Sequence, residues 1–173
     1  TPASSSEFGP QYSPDDAFKA RARLHQSKYR AEVLQVNYNE YGNRLNDVDG
    51  KKLLNYYAQL NSRTALRQRY PSYSARRDAD MLRSEHIPFN LIAPLATNKL
   101  LAARILSSAF DINCLRVKKM ELEYAPSPKE AYLNDGTAFD VYFEVDLKNG
   151  KSCGIGIEIK YTEGAYKIGA REA

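Results

Sequence analysis

Tryptophan is absent from this sequence of 173 residues, and cysteine and histidine occur only twice each, as Cys114 and Cys153 and as His25 and His86. Two cysteines are too few for a disulfide framework, and without histidines at zinc-ligand spacing they read as buried thiols. Neither histidine accompanies a serine or cysteine in a context such as G-x-S-x-G, which removes a triad hydrolase. No Gly-rich loop with Lys-Ser or Lys-Thr is present, which removes a P-loop nucleotide site. No apolar run approaches the ~20 residues that cross a bilayer, and Thr1 to Pro10 lacks the apolar core of a secretory signal. A cytoplasmic protein is the expectation.

Hydrophobic residues make up 43% and charged residues 27%, the balance of a foldable chain at a length that suits one core. The net charge of +4 and pI near 9.0 favour polyanionic partners. Residues 1–13 combine Pro, Ser and Gly with few large aliphatics and are expected to form a flexible lead-in. Ser13-Pro14-Asp15-Asp16 has the pattern of a helix start, opening a helix to about Gln35 whose Lys19, Arg21, Arg23, Lys28 and Arg30 suit a solvated face. Leu53, Leu54, Tyr57, Leu60 and Leu66 recur at helical spacing and predict a second helix from Asp49 to about Arg69, ended by Tyr70-Pro71. Arginines and tyrosines interleave there and beyond, and Arg63, Arg67, Arg76 and Arg77 are the candidates for meeting phosphates, with ordinary tyrosine packing under a charged exterior as the alternative. Residues 14–78 thus form a helical N-terminal region. Thr97 is expected to cap a helix through about Phe110 with Leu100, Leu101, Ile105 and Ala109 as its buried stripe, and Leu115 to Tyr124 has strand character.

The chemistry concentrates after Thr137. Phe139, Val141, Phe143, Val145 and Leu147 alternate with Asp140, Tyr142, Glu144 and Asp146, the period of a strand. Asn149-Gly150 is a strong hairpin turn signal, and the expected second strand, Ser152 to Tyr161, alternates Ile155, Ile157 and Ile159 with Gly156, Glu158 and Lys160. Pairing both aliphatic rows on the core side places Asp140, Glu158 and Lys160 on the opposite face. Two carboxylates suit Mg²⁺ or Mn²⁺, which leave positions for water and phosphate. An ammonium beside them can orient a nucleophile or offset charge developing on phosphorus. A hairpin whose outer face is merely charged would show the same alternation. Gly154 and Gly156 weigh against that reading, because glycine weakens a strand unless something approaches closely, such as a metal site or a DNA backbone.

The run from Phe139 to Glu163, FDVYFEVDLKNGKSCGIGIEIKYTE, resembles the PD-(D/E)xK, restriction endonuclease-like superfamily, and its IEIKYTE ending is similar to a bacterial branch with an E-[IV]-K-Y-[TS]-E run. The resemblance implies an α/β (α+β) fold whose β-meander carries the active site, with residues 79–173 as the nuclease core. It implies Asp140, Glu158 and Lys160 as catalytic residues, Asp140, Glu158 and the Ile159 carbonyl as metal ligands, and Glu85, on a core helix, as a further ligand. The implied activity is Mg²⁺- or Mn²⁺-dependent endonucleolytic hydrolysis of nucleic acid, DNA foremost. Phe139 stands where the family's proline precedes the aspartate. The sequence ends before the helix and strand that close the family core, so the resemblance also implies either an incomplete core or a partner chain that completes it; separately, analogy with relatives implies a homodimer for cutting both strands. The alternative is a non-catalytic nucleic-acid-binding or assembly module that retains the fold.

Overall fold

Asp16 opens the first helix in the computed structural model, which describes residues 7–132, 134 and 137–163. Its carboxylate accepts the Lys19 N–H at 2.8 Å, so the cap lies three residues later than Ser13. Helix α1 (Ala17–Lys28) continues into a wider helical turn, Tyr29–Leu34, and Gln35 ends it in the left-handed conformation. A two-stranded hairpin, β1 (Tyr38–Asn39) and β2 (Tyr41–Leu45), and short helices α2 (Asp47–Lys51) and α4 (Ala75–Asp78) share a compact unit with α1. Among the described residues that unit comprises 7–55, 73–84 and 160–163.

The basic face of α1 departs from the expectation of a solvated surface. Arg23 is 6% exposed and Arg30 5% exposed, and each satisfies its donors internally. The Arg23 guanidinium holds Asp15 at 2.6 Å and Asn43 at 2.6 Å. The Asn43 amide donates to Asp80 at 2.7 Å. Arg30 donates to the carbonyls of Gly42, Phe8 and Val36. These bonds, with the burial of Phe8, anchor the stretch expected to be a flexible lead-in from residue 8 onward. Gly42 fits because a Cβ there would lie 2.6 Å from the Ser27 hydroxyl.

The expected helix from Asp49 to Arg69 is interrupted. Leu53, Leu60 and Asn61 take positive φ values of 57°, 62° and 72°, a backbone that no helix continues through. Helix α3 (Ser62–Arg69) belongs instead to a second unit, residues 56–72 and 85–159. There, helical turns over Pro88–Ile92 and Ala93–Thr97 lead to α5 (Lys99–Phe110). Asn98 rather than Thr97 caps α5, accepting the Leu101 N–H at 3.0 Å. Its buried face is Ala102, Ala103 and Leu106, and Leu100, Leu101, Ile105 and Ala109 are exposed. The buried stripe is therefore not the predicted one: two alanines let α5 approach the sheet closely, which the larger aliphatics would prevent.

The sheet is an antiparallel meander, β3 (Cys114–Tyr124), β4 (Phe139–Leu147) and β5 (Ser152–Ile157), in that order. Cys114, Val117, Val141, Phe143 and Val145 form its core with α5. Irregularities between Cys114/Arg116 and Val117/Lys119 shift the β3 phase, which explains the broken alternation around Lys118 and Lys119. Mixed helices and a three-stranded antiparallel sheet make this an α+β fold, as expected. Among the described residues no helix is long and apolar enough to cross a membrane.

Candidate active site

Around the Asn149-Gly150 turn, Gly150 adopts φ +82°, the backbone its lack of a side chain permits. The Leu147 N–H donates to Lys151 at 2.7 Å and closes the hairpin. Val141 faces Ile157, Phe143 faces Ile155 and Val145 faces Cys153, so the aliphatic rows share the core face. Tyr142, Glu144 and Asp146 lie on the other face with Gly156, Gly154 and Ser152. Asp140 belongs to that outer row, one step before the Val141/Ile157 pair, and the same register carried one step further sets Glu158 across from it.

β5 ends at Ile157, not at Tyr161, and the chain beyond is held by a side chain. Oδ2 of Asp140 accepts the Ile159 N–H at 2.6 Å. Where the ladder stops, the aspartate takes over the role of a backbone acceptor and fixes the Glu158-Ile159 segment. Glu158 and Lys160 are exposed and Ile159 between them is half-buried.

A third carboxylate joins this row. Leu122 pairs with Val141 and Tyr124 with Phe139, so Glu123 falls across from Asp140 on the β3 side. Like charges at opposed positions destabilise a sheet, and Glu123 also has φ +54°, rare for this residue type. Burial, then the charge of Asp140, pushes the Glu123 carboxyl above its ordinary range. Glu85 adds to this effect, and a hydrogen bond to Tyr70 and the charge of Arg69 oppose it. Nothing in the sequence pointed to Glu123, because bulges in β3 hide its phase and a long connection separates it from Asp140.

Elsewhere on the outer face the charges are neutralised. Glu144 pairs with Lys118, and Asp146 accepts from Arg116 at 2.7 Å and from Ser152 at 2.5 Å. Gly154 and Gly156 serve a purpose other than the one expected from sequence. A Cβ at Gly154 would lie 2.5 Å from the Tyr142 hydroxyl, and one at Gly156 would lie 2.7 Å from the Phe139 ring. The close approach is made by the protein's own aromatic side chains. Tyr142 also stacks on Tyr124 at 4.3 Å and 19°.

Glu85 lies in a turn before the helical segment at His86, not on a long core helix, and is half-buried. His86 is buried against Tyr56, with ring centroids 4.8 Å apart. In the other unit, Glu163 accepts the Tyr161 N–H at 2.8 Å and the Ser84 N–H at 3.0 Å. Burial alone would raise its pKa. Those amides, its own amide and the Ser84 hydroxyl outweigh burial and lower it to about 2. Thr162 donates to the Leu82 carbonyl at 2.9 Å. Of the four arginines singled out from sequence, Arg63 donates to the Tyr56 carbonyl at 3.0 Å. Arg77 is bound at 2.7 Å to Asp78, which is fully buried. Arg67 is half-buried and Arg76 exposed.

A sequence model described as the PD-(D/E)XK nuclease superfamily matches residues 13–173, nearly the whole chain. The chain belongs to that superfamily. No curated protein and no solved structure matches it. Membership in the PD-(D/E)XK superfamily makes the chain a nuclease by family, with nucleic acid as its class of substrate and divalent metal as the usual requirement. Among the described residues no three His, Cys, Asp or Glu side chains stand close enough together to hold a metal ion. The donor set still fits a hard cation. Mg²⁺ takes one or two protein carboxylates and keeps water and substrate oxygens for the rest, and the crowding at Glu123 and Asp140 is relieved by positive charge.

Proposed function

We propose that this chain is a Mg²⁺- or Mn²⁺-dependent endonuclease that hydrolyses phosphodiester bonds of DNA, with Asp140, Glu158 and the Ile159 carbonyl as metal ligands and Lys160 as the group beside the attacking water. The observation that carries this reading is the bond from the Ile159 amide to Asp140, which ties the aspartate at the end of the meander to the Glu158-Ile159-Lys160 motif. In extended chain the N–H and C=O of one residue face the same neighbour, so an amide turned toward Asp140 brings the Ile159 carbonyl to that side. A bound divalent ion would supply Lewis acidity and a lowered pKa for water. The chain's own residues do the remaining work. Asp140 fixes the Glu158-Ile159 segment, Glu158 would supply a carboxylate to the metal, and Lys160, two residues on, would supply the ammonium. That ammonium orients the nucleophile and offsets charge on the phosphoryl oxygens. Glu85 and Glu123 are proposed as supporting acids that strengthen metal binding.

The test is cleavage of plasmid, linear and single-stranded DNA with Mg²⁺ or Mn²⁺, reversed by EDTA. Asp140→Asn, Glu158→Gln and Lys160→Ala should each lower the rate by at least about 10²-fold with folding intact. Glu123→Gln should raise the Mn²⁺ concentration needed for half-maximal rate. Wild-type cleavage by Asp140→Asn would refute the assignment. Salt-dependent binding by wild-type protein without turnover would favour the non-catalytic module instead.

A further inference from the structure

In the unit that contains α1, a cavity of about 440 Å³ is lined by five cationic side chains and three carboxylates. The carboxylates are already engaged. Glu40 pairs with Arg44, Asp80 accepts from Asn43 and from the Leu82 N–H, and Glu163 takes the two backbone amides described above. Arg23 is likewise occupied by Asp15 and Asn43. Lys19 and Arg76 also line the cavity, and among the described residues neither side chain has a partner. Two unspent cations thus face a space whose acids are consumed. Tyr12, 44% exposed, stands edge-on to Tyr41 with ring centroids 5.6 Å apart and borders the same space.

We propose that this cavity binds a phosphomonoester carried on a nucleoside, with Lys19 and Arg76 taking the phosphate and Tyr12 stacking the base. A phosphomonoester carries close to two negative charges near neutral pH, matching two cations. The volume lies in the range of small-ligand pockets, near the size of one nucleotide and too small for a run of strand. Aromatic rings beside free cations are the combination that holds single-stranded nucleic acid without reading its sequence. The ligand is therefore a free nucleotide or the phosphorylated end of a strand. The site shares no residue with Asp140, Glu158 or Lys160, so it stands apart from the reading of the meander.

The experiment is fluorescence anisotropy in EDTA with short single-stranded DNA carrying either a 5′-phosphate, a 3′-phosphate or hydroxyl ends, competed by nucleoside monophosphate. A phosphorylated end should bind at least about tenfold tighter than hydroxyl ends, as two charge-assisted contacts would give. Lys19→Gln/Arg76→Gln should abolish that preference, Arg76→Glu should invert or abolish it, and Asp140→Asn should keep it. Lys19 is half-buried and Arg76 exposed, so these variants are expected to fold, and thermal unfolding checks this. Competition by free monophosphate identifies a nucleotide site, and competition only by phosphorylated strand identifies an end-binding site. Equal affinity for phosphorylated and hydroxyl ends, or a preference that survives Lys19→Gln/Arg76→Gln, would overturn the proposal.

Discussion

Glu163 offers a pH test of how the segment after the motif is held. Its carboxylate accepts the Ser84 and Tyr161 amides, and its pKa falls from an ordinary 4.5 to about 2. A group whose pKa is depressed in the folded state contributes stability above its unfolded value, and the contribution disappears as pH falls through the folded value. The window therefore runs from about pH 4.5 down to about pH 2. A shift of this size would correspond to roughly 3 kcal/mol if fully transferred. The residue is exposed, so solvent screening reduces the expected contribution to ~1 kcal/mol. Glu163→Gln keeps one carbonyl acceptor and removes the charge, which isolates this contribution. Urea unfolding of both proteins at a series of pH values should show the wild type ahead by ~1 kcal/mol at pH 7. That lead should shrink toward zero near pH 2, where the protonated glutamic acid resembles the amide. Taking the difference cancels the other carboxylates. A difference that stays constant across the series would refute the argument, because it would locate the effect in packing rather than charge.

Two further perturbations test the architecture. Arg23→Met leaves Asp15 charged with its side chain 2% exposed and should cost about 3–5 kcal/mol by urea unfolding; Asp15→Asn/Arg23→Met should recover a large part of that, and equal loss in both proteins would deny the ion pair its role. Gly156→Ala places a Cβ 2.7 Å from the Phe139 ring and should cost about 1–3 kcal/mol. The cost should vanish in a Phe139→Ala background, whereas the same cost in both backgrounds would mean that some other neighbour occupies that space.

The β4–β5 hairpin was legible because a period of two and an Asn-Gly turn determine register without help from the rest of the chain. Elements that depend on partners distant in sequence carry no such local signal. Hydrophobicity alone assigns the large aliphatics of α5 to its core stripe, yet Ala102 and Ala103 join the core because close approach needs small residues. The hairpin Tyr38 to Leu45 has no apolar alternation to signal it and depends on Arg23 and Arg30 reaching Asn43 and Gly42. The helix expected through Leu53 and Leu60 stops where those leucines adopt positive φ, a cost that propensity cannot anticipate and tertiary contacts must offset.

The charged outer face of β4 distinguishes an ordinary hairpin from a working one more sharply than alternation could. At the turn end of the strand, Glu144 and Asp146 have Lys118, Arg116 and Ser152 as partners, as an exposed sheet surface would be expected to arrange its charges. Four residues earlier on the same face, Asp140 falls across from Glu123, and the glutamate sits at φ +54° with its carboxyl pushed toward protonation by burial and then by the charge of Asp140, against the pull of Tyr70 and Arg69. Stability favours the first arrangement over the second, so the second needs another reason to persist. A divalent cation and the phosphate it brings would supply one, and they would do so beside Glu158 and Lys160. The crowding of acids at this end of the strand is what the proposed metal-binding role of Asp140 would account for.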